Sequence, residues 1–284
     1  MDINEKGQKN SKKRFVFISD VHGQFDRLLE ALDAAKFDID NDTIVSLGDP
    51  FDRGPQSWEV LEFLMGCPNR ILIWGNHDLR LRELMVGCQE HKNDYHNGVL
   101  DTMKSFCNNF KLQWIAVGVR QFLSDDNLKP RRDLLWQYFA ECHFAIEFKD
   151  IVGTHAWIPV GVEGSVKWVG GLPSKPIKYQ YVENWREAHR EFWIDAAWEH
   201  TETMIDQEVF IPDKTLVVGH WHAWRLNWRY SKNSWRSINE VPFDTYNYKN
   251  KVIAIDGCSN AAEGKVNTFV YETDEAPVLI DGTR

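Results

Sequence analysis

The chain has 284 residues, 43% of them hydrophobic and 26% charged, a composition typical of a globular protein with a sizeable core. Its 42 acidic residues outnumber its 33 lysines and arginines, and the formal net charge of −9 argues against duplex nucleic acid as a partner. No apolar run reaches the roughly 18 residues that a membrane span needs, so we expect no membrane partner and a cytoplasmic location.

The cysteines lie far apart and form no C-x-x-C pair, so the sequence suggests neither a disulfide framework nor a clustered zinc site. We expect them to be reduced and mostly buried. They are Cys67, Cys88, Cys107, Cys142 and Cys258. The opening "MDINEKGQKNSKKR" is polar and basic, and it predicts a flexible tail over residues 1–14.

Three short apolar runs in the first third of the chain each end in polar residues and are followed by a helical pattern. "RFVFISD" precedes "QFDRLLEALDAAKF", and "TIVSLGD" precedes "QSWEVLEFLMG". The third run, "RILIWGNHD", precedes "LRLRELMVG". Repeated strand and helix units of this kind predict a sheet of buried strands covered by helices.

The next segment, residues 79–142, is polar and mostly helical in pattern, and we interpret it as a helical cap. Apolar runs return in "HFAIEFKDIVGTH", "TLVVGHWH", "KVIAIDG" and "VNTFVYET" with less helix between them, which predicts a second, partly antiparallel set of strands. Since no linker rich in Pro, Gly or Ser divides the chain, residues 15–284 are predicted to form one α/β domain.

Polar residues with metal-binding or catalytic chemistry follow the predicted strands at the points where they end. Loops at the carboxyl ends of strands in an open α/β sheet converge on one crevice, so residues far apart in the sequence can form one site. The candidates are Asp20, His22, Asp49, Asp52, Arg53, Asn76, His77, His155, His220 and His222.

Carboxylate, amide and imidazole ligands without thiolate suit divalent Mn, Fe or Zn ions. The candidate ligands are too many for one ion, whereas two ions about 3.5–4 Å apart that share a carboxylate would use them all. Such a pair stabilises the attacking and the leaving oxygen of an in-line displacement at phosphorus. Asn76 would then be a neutral ligand, and His77 would be free to transfer protons.

Five short motifs, "SDVHG", "GDPFDRG", "GNHD", "GTHAW" and "GHWH", occur in this order, each after a predicted strand. They resemble the motifs of the calcineurin-like metallophosphoesterase superfamily, and the "DRG" ending of the second resembles its phosphoprotein phosphatase branch. The resemblance extends from Phe15 to Tyr271. It implies a four-layer α/β/β/α fold in which a β-sandwich is flanked by helices, with the helical cap as an addition.

The resemblance also implies two sets of metal ligands that share Asp49 as the bridge. One ion would be held by Asp20, His22, Asp49 and His222, and the other by Asp49, Asn76, His155 and His220. The expected ions are Mn²⁺ first, with Fe or Zn as alternatives.

For catalysis, the resemblance implies that His77 protonates the leaving oxygen, that Asp52 orients His77, and that Arg53 binds the phosphate. The implied activity is hydrolysis of phosphomonoesters, as in serine/threonine protein phosphatases, by in-line attack of a hydroxide that bridges the metal ions. Substrates would be phosphorylated small molecules, peptides or nucleotides.

A symmetrical bis(5'-nucleosyl)-tetraphosphatase is the alternative enzyme. "GNHDLRL" resembles the bacterial form of that enzyme, because Asp78 stands where eukaryotic protein phosphatases carry Glu. "AIDGCSNAAEGKVNTFVYE" resembles closing strands that both bacterial groups share. A metal-free interaction scaffold is a further alternative, although such proteins usually lose ligands that this chain retains.

Three positions depart from the family pattern. Ser19 stands where Gly is usual in the first motif, and Trp157 stands where a small residue normally occupies the second position after His155, which could reshape the pocket wall. Eukaryotic protein phosphatases have a second phosphate-binding arginine, with which no arginine of this chain aligns clearly; Arg186 and Arg190 are offered as candidates.

Taken singly, the motif residues have simpler interpretations, such as a helix N-cap for Asp20 or a core histidine for His155.

The segment "GHWHAWRLNWRYSKNSWRS" interleaves aromatic and basic residues over 221–236. It could stack a nucleobase or hold a second phosphate, or its tryptophans could pack the loop onto the sheet while its arginines face water. Histidines outside the motifs are interpreted as structural or surface residues: His91, His96, His143, His189 and His200.

Overall fold

Two β-sheets lie at the centre of the fold, and helices cover their outer faces. The computed structural model describes residues 12–163, 168–169, 172–173, 177–231 and 241–283. The strands in these residues are β1 Lys13–Ile18, β2 Thr43–Ser46, β3 Arg70–Ile73, β4 Cys142–His143, β5 Ala145–Glu147, β6 Ile151–Thr154, β7 Gly161–Glu163, β8 Trp168–Val169, β9 Leu172–Pro173, β10 Lys178–Gln180, β11 Thr215–Val218, β12 Tyr246–Tyr248, β13 Val252–Ala254, β14 Thr268–Thr273 and β15 Val278–Ile280. The α-helices are α1 Phe25–Ala34, α2 Ser57–Gly66, α3 Asn76–Met85, α4 Lys92–His96, α5 Val99–Phe106, α6 Ile115–Ser124, α7 Lys129–Glu141, α8 Arg190–Ala196, α9 Thr201–Asp206 and α10 Ala223–Tyr230.

The two main sheets differ in strand direction. The first has the order β14-β1-β2-β3-β4, in which β1 to β4 run parallel and β14 pairs antiparallel with β1. The second has the order β12-β13-β11-β6-β5-β15, with a parallel centre of β13, β11 and β6 and antiparallel strands on both sides. The predicted second, partly antiparallel set of strands is therefore confirmed, but "VNTFVYET", which the sequence assigned to that set, instead forms β14 of the first sheet.

Successive side chains of β1 point to opposite faces of the first sheet and join two different layers of the core. Phe15 and Phe17 pack between the sheets, where the Phe15 ring lies 4.8 Å from the ring of Phe148, beside β5. Val16 and Ile18 belong to the core on the helical side. On the outer face of the second sheet, α10 packs against β12. The α/β/β/α architecture implied by the resemblance is confirmed.

The amino-terminal boundary differs slightly from the expectation. β1 already includes Lys13 and Arg14, which the sequence had placed in the flexible tail. Arg14 donates a hydrogen bond to the Lys36 carbonyl at 3.2 Å and forms an ion pair with Asp42, which fastens the start of β1 to the turn after α1. Residues 1–11 of the predicted tail lie outside the described residues.

Helices fill most of the segment that the sequence marks as a cap, since α3 to α7 follow one another between Asn76 and Glu141. This helical segment rests on the loop after β2: the Phe51 ring lies 5.4 Å from Phe106 in α5 and 5.2 Å from Tyr138 in α7. It therefore lies directly beside the second motif. None of the helices in the described parts of the chain combines the length and the apolar composition that crossing a membrane requires.

Candidate metal centre and active site

All the candidate residues follow the carboxyl ends of strands, with β1, β2 and β3 contributing from the first sheet and β6 and β11 from the second. Most of their side chains are buried, and the exposed fraction is 2% for Asp20 and 1% for Asp49 and His155. Arg53, His220 and His222 are half-buried, so the group reaches solvent on their side.

Sharp turns after the strands hold several of these residues in the left-handed backbone region. Asp20, Asp49 and Asp52 have φ angles of 51°, 55° and 69°, and His22 and His220 have 48° and 61°. This conformation costs a non-glycine residue about 1–3 kcal/mol, and such strain concentrates at functional sites. Here the left-handed turns direct side chains from separate strands toward one point.

The turn between β3 and α3 approaches Asp49 so closely that only glycine fits at position 75, where a Cβ would lie 2.1 Å from Asp49 Oδ1. Asp78 Oδ2 accepts hydrogen bonds from the amides of Gly75 at 2.9 Å and Asp49 at 3.0 Å. Asp49 Oδ1 in turn accepts the His77 amide at 2.9 Å. In the "GNHD" motif, Gly75 and Asp78 therefore build the turn, while Asn76 and His77 carry the candidate chemistry.

The Asp49 carboxylate lies at the centre of the candidate ligands. Its Oδ2 atom is 3.4 Å from His155 Nε2, 3.8 Å from His77 Nε2 and 4.0 Å from His22 Nε2. Two groups of ligand atoms are close enough to share an ion, and both contain Asp49: one includes His22 and His77, the other His155 and His220. One carboxylate is thus placed to contact two ions.

The surroundings of His155 suit a bound cation. Its Nδ1 lies 2.7 Å from the Leu47 carbonyl, which only accepts, so Nδ1 carries the proton. Its Nε2 lies 2.8 Å from Asn76 Oδ1 and 3.4 Å from Asp49 Oδ2, so a neutral His155 ring would bring acceptor atoms of three side chains together. Burial lowers the pKa of His155, but Asp49 and Asp20 together with hydrogen bonds raise it to about 10. A positive charge is favoured here, and a divalent ion fits this donor set.

His22 is oriented in the same way, with Nδ1 2.8 Å from the Phe51 carbonyl. Its Nε2 lies 2.7 Å from Arg53 Nη1, and Arg53 Nη2 lies 3.2 Å from His77 Nε2. The guanidinium thus occupies a place where a cation would contact both imidazoles. Burial, reinforced by the charge of Arg53, holds the pKa of His22 well below its usual range, which keeps the ring neutral, as a metal ligand must be.

Asp20 and His222 stand apart from the two groups of ligand atoms. Asp20 Oδ1 is 3.9 Å from His22 Nε2, while its Oδ2 accepts the His220 amide at 2.9 Å and the Ser19 hydroxyl. His222 Nε2 instead lies 3.8 Å from Asp256 Oδ2. Burial is the main cause that lowers the pKa of His220 to about 3 and that of His222 to about 4, so both rings are neutral at pH 7.

A chain of hydrogen bonds orients His77. His77 Nδ1 lies 2.7 Å from Asp52 Oδ2, and Asp52 Oδ1 accepts the Thr102 hydroxyl of α5 at 2.7 Å. The Asp52 amide donates back to Thr102 Oγ1 at 2.8 Å. Burial lowers the pKa of His77, but Asp49 and Asp52 outweigh it and raise the pKa above its usual value. The helical segment, through Thr102, thus helps to hold the His77 ring in place.

Replacing Thr102 with valine is expected to lower the free energy of unfolding by about 1–3 kcal/mol, because it leaves a buried amide and a carboxylate oxygen of Asp52 without a partner. Urea denaturation measures the loss. Thr201→Val is the matched control: Thr201 is equally buried, at 0% exposure, and its hydroxyl has no hydrogen-bond partner among the described residues. Equal losses in the two variants would contradict the role given to Thr102.

The loop after β13 completes the site and was missed by the sequence analysis. Asp256 is buried and accepts the Cys258 amide at 2.7 Å, and the Ser259 hydroxyl donates to the Asp20 carbonyl at 2.6 Å. Burial and the nearby Asp20 raise the pKa of Asp256 well above its usual value. The signal was present, because the apolar run of "KVIAIDG" is followed by Asp256, just as "RFVFISD" and "TIVSLGD" end in Asp20 and Asp49.

A cleft of about 480 Å³ opens beside Arg53 and His222. Its remaining walls come from the helical segment and from the loop after β13: Tyr95, His96, Asn97, Gly98, Asp101 and Asn260. His96, interpreted from the sequence as a structural or surface residue, is exposed and lines the cleft. The Arg53 amide donates to the Gly98 carbonyl at 3.3 Å, which fixes this wall to the second motif.

The family departures lie away from this cleft. Trp157 is fully buried in the core on the helical side. Arg186 forms an ion pair with Glu147, with Nε 2.6 Å from Oε2, and Arg190 lies over the Phe144 ring at 5.1 Å. Neither arginine is among the described residues that line the cleft with Arg53.

The described part of the aromatic and basic segment pairs its arginines with acidic residues of α9. Arg225 Nε lies 3.4 Å from Glu202, and Arg229 Nη2 lies 2.6 Å from Asp206. Trp221 packs under the Arg225 guanidinium, 4.9 Å from its ring centre. These contacts favour the interpretation that the segment packs onto the fold over the one in which Arg225 and Arg229 bind a second phosphate. Residues 232–240 of the segment and its surroundings lie outside the described residues.

The sequence profile described as calcineurin-like phosphoesterase matches residues 13–238. Two similar proteins are symmetrical bis(5'-nucleosyl)-tetraphosphatases: that of Buchnera aphidicola is 36% identical over 77 residues, and that of Salmonella paratyphi B 40% over 76 residues. The matched segments are short: they cover 27% and 26% of this chain, and 28% and 27% of the length of those two enzymes. A solved metallophosphoesterase from Sphaerobacter thermophilus aligns over 96% of this chain and 88% of its own, with 16% identity and a TM-score of 0.45.

The family profile spans most of the chain, and it includes the strands and turns that carry all the candidate residues. The chain therefore belongs to the calcineurin-like phosphoesterase family.

Proposed function

We propose that the protein is a metal-dependent phosphoesterase that hydrolyses phosphomonoesters, as serine/threonine protein phosphatases do. The observation that carries this proposal is the position of the His77–Asp52 pair, with its 2.7 Å contact, directly against the Asp49 carboxylate shared by two groups of ligand atoms. A proton donor and an ion-binding carboxylate thus meet at the same point.

The donor set fits two ions. His155, His220 and Asn76 would hold one together with Asp49, and His22 would hold the other together with Asp49. Asp20 and His222, which stand further out in the structure, would complete this second set. Divalent ions bound there, with Mn²⁺ as our first choice, would supply Lewis acidity and a nucleophile at neutral pH.

The chain's own residues would bind the phosphate and deliver the proton. Arg53 lines the cleft beside His22 and His77, and its planar guanidinium fork matches two phosphate oxygens. His77 Nδ1 donates to Asp52, and in the imidazolium form Nε2 would carry the second proton, which it would pass to the leaving oxygen of the substrate. We also propose that the helical segment 79–142 acts as a cap, since it supplies one wall of the cleft.

A dinucleoside polyphosphate is the second candidate substrate. It is favoured by the names of the Buchnera and Salmonella relatives and by their identity of 36% and 40% over the matched segments. In that reaction the leaving group would be a nucleotide phosphate rather than an alcohol, and His77 would have the same task.

A side-by-side rate assay tests the proposal, with Mn²⁺ supplied and chelated protein as the blank. The substrates are p-nitrophenyl phosphate, a phosphoserine peptide and diadenosine tetraphosphate. Turnover of the monoesters that disappears on chelation is the expected result. Turnover of the dinucleotide alone would select the second candidate. No turnover of any ester, together with no bound metal in elemental analysis, would leave the scaffold alternative and overturn the proposal.

A further inference from the structure

A second cavity, of about 540 Å³, lies beside the cleft that contains Arg53. His222 lines both, so the two spaces are neighbours on either side of one imidazole. The other lining residues are Trp224, Phe243, Cys258, Ala261, Ala262 and Glu263. Nothing in the hydrolytic chemistry described above uses this cavity.

Its chemistry is aromatic. The rings of Trp224 and Phe243 are both half-buried, their centres lie 6.4 Å apart, and their planes meet at 66°. Such an edge-to-face pair presents flat ring surface to the space beside it. Apolar contacts come from Ala261 and Ala262, while the exposed carboxylate of Glu263 is the charged group of the lining.

The wall opposite the aromatic residues is fixed in place by Arg27. Its guanidinium donates hydrogen bonds to the carbonyls of Ala261 at 2.7 Å and Ala262 at 3.0 Å, and also to Ser259 and Gly264 at 2.5 Å each. One α1 side chain thus holds most of the turn that lines the cavity. A cavity formed in advance loses little conformational freedom when it is filled.

We propose that this cavity binds the nucleobase of a nucleoside phosphate substrate, stacked on Trp224 beside Phe243. The proposal rests on the proposed function, because the base is placed by the phosphate that Arg53 and the metal ligands hold. A planar base matches the aromatic surface, and the phosphate chain of the same molecule reaches the cleft past His222. A carboxylate only accepts hydrogen bonds, so Glu263 favours a base with an amino group.

The test compares diadenosine tetraphosphate with phosphoserine, which has no ring, in Mn²⁺-supplied protein. Trp224→Ala is expected to lower the ratio of kcat/KM for the dinucleotide to that for phosphoserine by roughly 5- to 150-fold, the range that base stacking on an aromatic residue gives. Trp224→Phe keeps a ring and is expected to restore most of the ratio. Trp228→Ala is the control, since Trp228 lies on the same helix, is 52% exposed and does not line the cavity.

An unchanged ratio in Trp224→Ala, or an equal fall in Trp228→Ala, would overturn the nucleobase site while leaving the proposed function intact. A preference for a phosphoserine peptide that depends on Trp224 would assign the cavity to a peptide and would equally overturn the proposal.

A binding measurement distinguishes failure of the nucleobase site from failure of the proposed hydrolytic function. Calorimetric titration of diadenosine tetraphosphate into His77→Asn protein, with and without Trp224→Ala, needs no turnover. Tryptophan-dependent binding would support the site even if the wild-type protein hydrolysed no ester. Binding that is absent, or that is the same with and without Trp224, would overturn it.

Discussion

Asp49→Asn is expected to reduce bound metal to below one ion per chain, because a single carboxylate serves both groups of ligand atoms. Its Oδ2 faces three imidazoles within 4.0 Å, and the substitution removes the negative charge at that point. Amide oxygens are weaker ligands than carboxylates for these ions, and no other side chain belongs to both groups. The measurement is elemental analysis after equilibration with Mn²⁺ and gel filtration.

Asp94→Asn is the matched control for this experiment. Asp94 is as buried as the site carboxylates, at 2% exposure, but it pairs with Arg80 in the helical segment, with a contact of 2.8 Å. Asp94→Asn is expected to lose stability and to keep its metal. Asp49→Asn protein that still bound two ions would contradict the bridging role, whatever its activity.

The strand ends could be predicted because each motif is local. The pattern of an apolar run followed by Asp, His or Asn places the side chain at the carboxyl end of a strand, and parallel strands bring such ends to one crevice. Asp49, His77 and His155, which this reasoning assigned to one site, lie side by side in the structure. It could not give their distances, because the left-handed turns that aim the side chains have no clear sequence signal at Asp or His.

The residues that sequence reasoning missed act through contacts between distant segments. Thr102 reaches Asp52 across 50 positions, and Ser259 reaches Asp20 across 239. His96 enters the cleft because the helical segment packs on Phe51, not because of any motif around it. Trp157 follows a motif histidine but turns into the core, where its burial as a large apolar side chain is favoured.

His77→Asn is expected to lower kcat by roughly 10²- to 10⁴-fold, the usual cost of losing a general acid. The loss should depend on the leaving group. p-Nitrophenolate departs readily without a proton, whereas the serine alkoxide of a phosphoserine peptide needs one, so the peptide should lose more of its rate than p-nitrophenyl phosphate. Initial rates for both substrates at saturating Mn²⁺ give this comparison directly.

Metal content decides between the two tasks that the geometry allows His77. Its Nε2 is 3.8 Å from Asp49 Oδ2 and belongs to a group of possible ligand atoms with His22, although its Nδ1 contact with Asp52 suits a proton donor. A general acid can be removed without loss of an ion, whereas a ligand cannot. If His77→Asn protein bound one ion fewer and lost the same rate on both substrates, His77 would be a ligand. Unchanged metal with a leaving-group-dependent loss would identify it as the acid, and the second ion would then depend on Asp20 and His222.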